Sequence, residues 1–301
     1  MDKSVLEIAR SALLSLIKDY ESQHRCKVSD TDMNSIIVSL SASYNDYRLK
    51  RGITENLDDP RYQAAYLFTY FPALCHGVQS GIELLDGRMR HSFGSIMLQI
   101  ADRRQNSLNV CAIGGGPGTD VLGLHMYIQD FLRDDGIYQD VFLNATVVDK
   151  HAEWRSAWEA VQRHLNPIDS QQIIMNYIAH DITNQNISSQ VLSSVKKADI
   201  ILMFKFVSAV KGLQGFKYNL TRLLREASSN TYIFYGDNLQ GGNSEIFKDI
   251  AYDAGYEYIA SDEAEKLKIP DRSDYLVDLE ETYDRRYQQN LSMCFIIMKK
   301  N

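Results

Sequence analysis

With 301 residues, 45% hydrophobic and 24% charged side chains and only 5 prolines, the chain has room for one large core with an appendage and little room for disorder. A net charge of −7 argues against a broad nucleic-acid footprint, which needs a clustered basic surface. No apolar run approaches the ~20 residues of a membrane span, so no membrane partner is expected.

The opening residues place Val5, Leu6, Ile8, Ala9, Leu13, Leu14 and Ile17 at helical spacing with charges between them. This is not the pattern of a signal peptide, and a cytoplasmic protein is expected. Four or five helices are expected over 1–100, an α-helical cover region, followed by an α/β domain over 101–301. Asp59-Pro60 marks a break, because the residue before proline is pushed out of helical geometry. Behind it Tyr62, Tyr66, Phe68, Tyr70 and Phe71 form an aromatic helix expected to end near Pro72. A further helix is expected over 92–100.

From residue 108 short apolar runs alternate with longer helical ones, the signature of βαβ units and a parallel sheet. Strands are expected at 108–113, 141–148, 173–178, 199–204 and 231–235, then 256–260 and 292–298 as a terminal hairpin. Helices are expected at 119–134, 153–164, 185–195, 215–228 and 243–254. The fold class is α/β, a seven-stranded doubly wound sheet with a C-terminal antiparallel hairpin.

The first expected strand runs into Gly114, Gly115, Gly116, Pro117, Gly118, Thr119 and Asp120. Glycines here allow a sharp turn and a close backbone approach to a ligand. A lone G-x-G-x-G is weak, and context strengthens it: a strand before, a helix after, and Asp149 with Lys150 at the tip of the next strand. A carboxylate there can accept both hydroxyls of a ribose. The third strand ends at His180, Asp181 and Ile182, where a carboxylate and the following backbone amide can read an adenine edge.

These features resemble the class I, Rossmann-like S-adenosylmethionine-dependent methyltransferases. The resemblance covers roughly 108–301 and implies S-adenosylmethionine as cofactor. It assigns Gly114, Gly116 and Gly118 to the amino-acid part of the cofactor, Asp149 to the ribose and Asp181 to the adenine. Gly115, Lys150, Ile182 and Phe204 complete the lining, and Tyr66 and Tyr70 offer ring faces that a sulfonium cation favours. In that family an acid often stands two places before the first glycine; here it is Ala112, and Asp120 becomes the candidate partner for the methionine ammonium. After the fourth strand the chain reads Phe204-Lys205-Phe206-Val207-Ser208, not N/D-P-P-Y/F, so support for methylating an exocyclic base amine or a glutamine amide falls. Two narrower likenesses diverge. The triple glycine with Tyr-Leu-Phe-Thr-Tyr-Phe-Pro upstream is similar to a group containing fungal ribosomal RNA uridine N3-methyltransferases, and the strand end also resembles histamine N-methyltransferase.

Where the acceptor is protonated, transfer needs a base within hydrogen-bond reach. Asp237 is the first candidate, with Lys205 and His180 behind it. The segment 261–290 carries nine acids (Asp262, Glu263, Glu265, Asp271, Asp274, Asp278, Glu280, Glu281, Asp284) against five bases and reads as an acidic loop at the same rim, one that attracts cations. Cys26, Cys75, Cys111 and Cys294 have no ligand spacing, so no zinc site or disulfide framework is suggested. Arg103-Arg104 and Lys196-Lys197 are two small basic clusters read as solvated charge. Three functions fit: a methyltransferase acting on a small molecule, one acting on RNA, or a catalytically silent S-adenosylmethionine sensor or scaffold.

Overall fold

The computed structural model describes residues 4–46, 57–183, 186–268 and 277–301. Five helices precede the first strand: α1 (Val5–His24), α2 (Asp30–Asp46), α3 (Pro60–Thr69), α4 (Phe71–Asp86) and α5 (Phe93–Asp102). Their starts are written in capping residues. Ser4 accepts the Glu7 N–H at 3.2 Å, Asp59 accepts the Arg61 N–H with Pro60 in the first turn, and Ser92 accepts the Ser95 N–H, each satisfying a donor the helix leaves open. Pro72 does not simply end the aromatic helix. That helix stops at Thr69 and Pro72 sits in the first turn of α4, where a missing N–H costs nothing.

The remainder alternates: β1 (Ser107–Ile113), α6 (Thr119–Asp134), β2 (Phe142–Asp149), α7 (Trp154–Gln162), α8 (Pro167–Gln172), β3 (Ile173–Ala179), α9 (Ser189–Lys197), β4 (Ile200–Phe204), α10 (Val207–Val210), α11 (Phe216–Arg225), β5 (Tyr232–Asn238), α12 (Asn243–Asp253), β6 (Tyr256–Lys268), α13 (Val277–Tyr283) and β7 (Asn290–Lys300). The seven strands form one sheet in the order β3-β2-β1-β4-β5-β7-β6. β1 to β5 pair in parallel, and β7 is antiparallel to both β5 and β6. The parallel strands therefore all end at one rim.

Each face of the sheet has its own core. On the first, Val110, Ala112, Leu143, Val147, Phe204, Phe234 and Phe295 pack with residues of α4, α6 and α7, and the same cluster continues into α1, α2 and α3. On the second, Cys111, Ile113, Met203, Ile233 and Tyr235 pack with α9, α11 and α12. The cover helices thus share a core with the sheet. Contact between α4 and α6 is close because Gly123 has no side chain: a Cβ there would stand 2.5 Å from the Cys75 carbonyl oxygen and 2.7 Å from Val78 Cβ. Gly123→Ala is expected to lower stability by about 1–3 kcal/mol through overpacking against backbone, measurable by denaturant unfolding.

The acidic segment after residue 260 is not a loop throughout. β6 continues to Lys268, carrying Asp262, Glu263 and Glu265 on a strand, with register shifts at Tyr258/Ala260 and Ala264/Leu267 that keep it paired to β7. Pairing partners override weak local strand preference in such a stretch. Asp271, Arg272 and Asp274 lie outside the described residues. Beyond them Leu279, Tyr283 and Tyr287 are buried in the first core. Tyr283 meets Phe68 edge-on at 5.5 Å, the Gln288 N–H donates to the Thr69 carbonyl, and Arg10 pairs with Asp278. This strap ties the end of β6 to the cover helices. No helix among the described residues is long and apolar enough to cross a membrane.

Candidate active site

The glycine turn is built as the sequence suggests. Gly114, Gly116 and Gly118 have φ of 70°, 50° and 83°, a region that side-chain-bearing residues rarely occupy. Their surroundings differ. A Cβ on Gly114 would lie 2.3 Å from the Phe206 ring, and one on Gly118 would lie 2.8 Å from Met175 and 3.1 Å from Trp158. On Gly116 it would meet nothing closer than Trp154 at 3.8 Å and the Tyr66 hydroxyl at 3.9 Å. So Gly114 and Gly118 face packed rings and a sulfur, while Gly116 faces a bounded space.

Asp149 is joined to that turn. Its Oδ2 accepts the Gly116 N–H at 3.2 Å and its Oδ1 the His151 N–H at 3.0 Å. Burial pushes its carboxyl above the ordinary range despite these two donors. Asp120 lies in the first turn of α6 and is only 2% exposed. Its Oδ1 accepts the Thr119 hydroxyl, while Oδ2 has no partner. Burial, opposed in part by Thr119 and reinforced by the nearby Asp149 charge, pushes its carboxyl up to about 7. A buried acceptor left unsatisfied costs free energy that a bound donor would recover.

Aromatic side chains close the space from the cover side. The Tyr66 ring lies 4.9 Å from that of Trp154 and 5.6 Å from that of Tyr70. Trp154 at the start of α7 and Tyr177 on β3 were not anticipated. The Tyr177 hydroxyl is buried without a partner, as is His180 Nε2, and burial and the Asp149 charge hold the Tyr177 hydroxyl well above its usual pKa. A tryptophan five residues after the strand-tip acid was the one available signal for the first. Tyr177 carried none, since its role depends on which neighbour β3 acquires. One ligand atom each from Asp58, His151 and Glu153 come within 4.8 Å of one another, with Arg155 lining the same surface depression as Asp58 and Glu153.

Other expected residues stand elsewhere. Asp237 is fully buried: Oδ2 accepts the Ser208 N–H at 2.8 Å and Oδ1 the Asn238 N–H at 2.7 Å, so the carboxylate holds the turn after β4 rather than facing the rim. Parity explains it. β5 runs on to Asn238, and alternate side chains put Gly236 on the first face and Asp237 with Tyr235 on the second. Phe204 is 4% exposed and lies in a core stack with Phe234 and Phe295 at 6.5 and 6.4 Å, a packing residue rather than a lining one. Ile182 is buried in the second core. Asp181 is exposed and its Oδ1 accepts the N–H and hydroxyl of Thr183, a local turn. Lys150 is exposed. The His180 N–H donates to the Asp149 carbonyl at 2.7 Å, keeping the β2 and β3 ends together. Lys205 adopts a left-handed φ of 58°, and its ammonium donates to Asn238 Oδ1.

No protein-family model matches the sequence, and no curated protein matches it. Among solved structures, similarity extends to a SAM-dependent methyltransferase from Methanosarcina mazei, 12% identical, covering 67% of this chain and 96% of the other with a TM-score of 0.39. An S-adenosylmethionine-dependent methyltransferase from Clostridium acetobutylicum is 9% identical over 69% and 91%, TM-score 0.38, and a precorrin-6y C5,15-methyltransferase from Geobacter metallireducens 8% over 71% and 90%, TM-score 0.37. Strand order decides the fold class: an antiparallel seventh strand is inserted between the fifth and sixth, where a dinucleotide-binding sheet continues in parallel. The chain has a Rossmann-like methyltransferase fold. In such a fold ligands bind beyond the carboxyl ends of the parallel strands, and that is where Gly116, Asp149, Asp120, Tyr66, Trp154 and Tyr177 converge.

Proposed function

We propose that this chain is an S-adenosylmethionine-dependent methyltransferase acting on a small molecule. The observation that carries the proposal is the left-handed glycine turn after β1, whose Gly116 N–H is held by Asp149 and against which a Cβ would meet only Trp154 and the Tyr66 hydroxyl, at 3.8–3.9 Å. Asp149 would hold the ribose hydroxyls and Asp120 the methionine ammonium, filling the acceptor that now has no partner. The rings of Tyr66 and Trp154 would flank a cation and keep water away from it. When bound, the cofactor supplies a methyl group on a cationic sulfur. The chain's part is then to position the acceptor and remove bulk water.

Among the expected bases, Asp237 is committed to its turn. Lys205 and Asn238 stand at the β4 and β5 ends, and the strained backbone of Lys205 is of the kind that persists at functional sites. We assign this pair to orienting the acceptor. A small acceptor is favoured over RNA because the net charge is −7, and because Arg104, Lys196 and Lys197 lie at the opposite ends of the strands. Calorimetric titration with S-adenosylmethionine is expected to show one site per chain; no heat and no thermal stabilisation would overturn the proposal. Transfer of labelled methyl groups to a metabolite pool, with none to total RNA, is the expected second result.

Asp120 gives the binding a pH dependence. Pairing with an ammonium requires the ionised carboxylate, so affinity is expected to rise with pH up to about 7 and then level. Below that it should fall by about tenfold per unit. Titrations at several pH values check this, and Asp120→Asn should flatten the profile. Without ligand the linkage concerns stability. The folded protein holds this proton more tightly than the unfolded chain, so the contribution is complete below the ordinary aspartate pKa and is lost as pH rises through about 7.

A further inference from the structure

The two basic clusters of the sequence lie almost a hundred residues apart, yet one member of the first and both members of the second line a single cavity. It occupies ≈ 570 Å³ and is bounded by Arg104, Asn109, Ser193, Lys196, Lys197 and Ser228. These residues come from the turn before β1, the start of β1, α9, and the turn after α11, so the cavity sits at the amino-terminal ends of β1 and its neighbours. The seven residues of β1 at about 3.3 Å each separate it from the glycine turn by roughly 20 Å. It is not an extension of the cofactor cleft.

A lysine pair in the last turn of a helix ordinarily needs no ligand, since it offsets the helix dipole. Here four further observations bear on it. Ser193 lies three and four residues before Lys196 and Lys197, so one hydroxyl and two ammonium groups share a side of α9. Arg104 is brought to the same cavity and oriented by Asp199 Oδ1 at 3.0 Å, while Asp199 Oδ2 accepts the Asn109 N–H at 2.9 Å; both oxygens of that carboxylate are engaged. The Ser228 hydroxyl donates to the Lys196 carbonyl at 2.7 Å, fixing the α11 turn to the end of α9. Among the described residues no carboxylate lies within ion-pairing distance of Lys196 or Lys197. In a chain of net charge −7, two lysines without an ion pair, an arginine whose charge is shared with Asp199, and the Ser193 hydroxyl gather on one cavity and leave it with a local positive excess.

We propose that this cavity binds a small molecule bearing a di- or polyphosphate, with Arg104 and the two lysines facing its oxygens and Ser193 donating a hydroxyl hydrogen bond, while Ser228 holds the end of α9 in place. Arg104 suits a two-point grip on phosphate and the lysines act as point charges. Such a ligand would bind independently of the proposed methyl donor.

Calorimetry and thermal unfolding with pyrophosphate and with adenosine diphosphate test the proposal, against sulfate at matched ionic strength and a short single-stranded RNA. Both phosphate compounds are expected to bind and to raise the unfolding midpoint more than sulfate does. In the Lys196→Glu/Lys197→Glu double variant, which alters two exposed side chains, their affinity should fall at least tenfold. The variant's own unfolding midpoint and its affinity for S-adenosylmethionine should match those of the parent. Equal stabilisation of parent and double variant would overturn the proposal, as would absence of binding at millimolar pyrophosphate. Binding of RNA with pyrophosphate and adenosine diphosphate inert would overturn it in favour of a nucleic-acid contact. Loss of S-adenosylmethionine binding in the parent would count against the proposed function and leave this result standing.

Discussion

Replacing Asp149 with alanine is expected to weaken S-adenosylmethionine binding by roughly 100-fold, with little change in stability. The first part follows from chemistry: hydrogen bonds to a charged acceptor contribute about 1.5–3 kcal/mol each, and the loss of one or two of them lies near 3 kcal/mol. The second follows from the structure. The Asp149 carboxyl is pushed above its ordinary range by burial, so its ionised form is disfavoured by its surroundings. Removing it forfeits the bonds to the Gly116 and His151 amides but also relieves that desolvation. Isothermal titration and thermal unfolding of the same preparation separate the two effects. A variant that unfolds at the parent's temperature and binds equally well would remove Asp149 from the ribose site. Asp149→Asn, which keeps one acceptor oxygen, should fall between the two.

The second large effect concerns two neighbouring glycines that look interchangeable in sequence. Gly114→Ala drives a Cβ to 2.3 Å from the Phe206 ring at a φ of 70°. With strain and overpacking together, it should lower stability by about 2–4 kcal/mol. Gly116→Ala carries only the backbone penalty, about 1 kcal/mol, because its Cβ would make ordinary contacts with Trp154 and the Tyr66 hydroxyl at 3.8–3.9 Å. That methyl would stand between the turn and the two rings, where the ligand is proposed to lie, so Gly116→Ala should lose S-adenosylmethionine binding while remaining folded. Chemical denaturation and calorimetry on the pair give opposite rankings if this is right. A Gly116→Ala protein that binds normally would mean that the ligand lies elsewhere.

Much of this architecture was legible because its signals are local. The apolar runs of β1, β2 and β4 are short and bounded, and the helix over 119–134 begins and ends where its pattern does. The glycine turn and Asp149 were readable for the same reason. What was not readable depends on partners far along the chain. The extension of β6 to Lys268 through Ser-Asp-Glu-Ala-Glu-Lys-Leu-Lys has no strong strand preference of its own and exists because β7 pairs with it. Asp237 looked like a strand-tip carboxylate until β5 proved to continue past it, which decided the face it points to. Phe204 sits at a strand end in sequence, but three stacked rings from β4, β5 and β7 claim it. Arg104 and Lys196 were separate surface charges in the sequence; only the sheet brings them to one cavity.

The antiparallel strand between β5 and β6 also sets an order of events during synthesis. β6 leaves the ribosome before β7, yet it has no place in the sheet until β7 has docked on β5. From Lys268 to Lys300 is a further 32 residues, about 2–6 s of translation at 5–20 residues per second. For that interval the open side of β5 and an unpaired thirteen-residue strand coexist on the nascent chain, each a template for pairing with other copies. Chaperone capture at that stage, or fast docking of the strap onto the cover helices, would decide the yield of folded protein more than the stability of the finished fold.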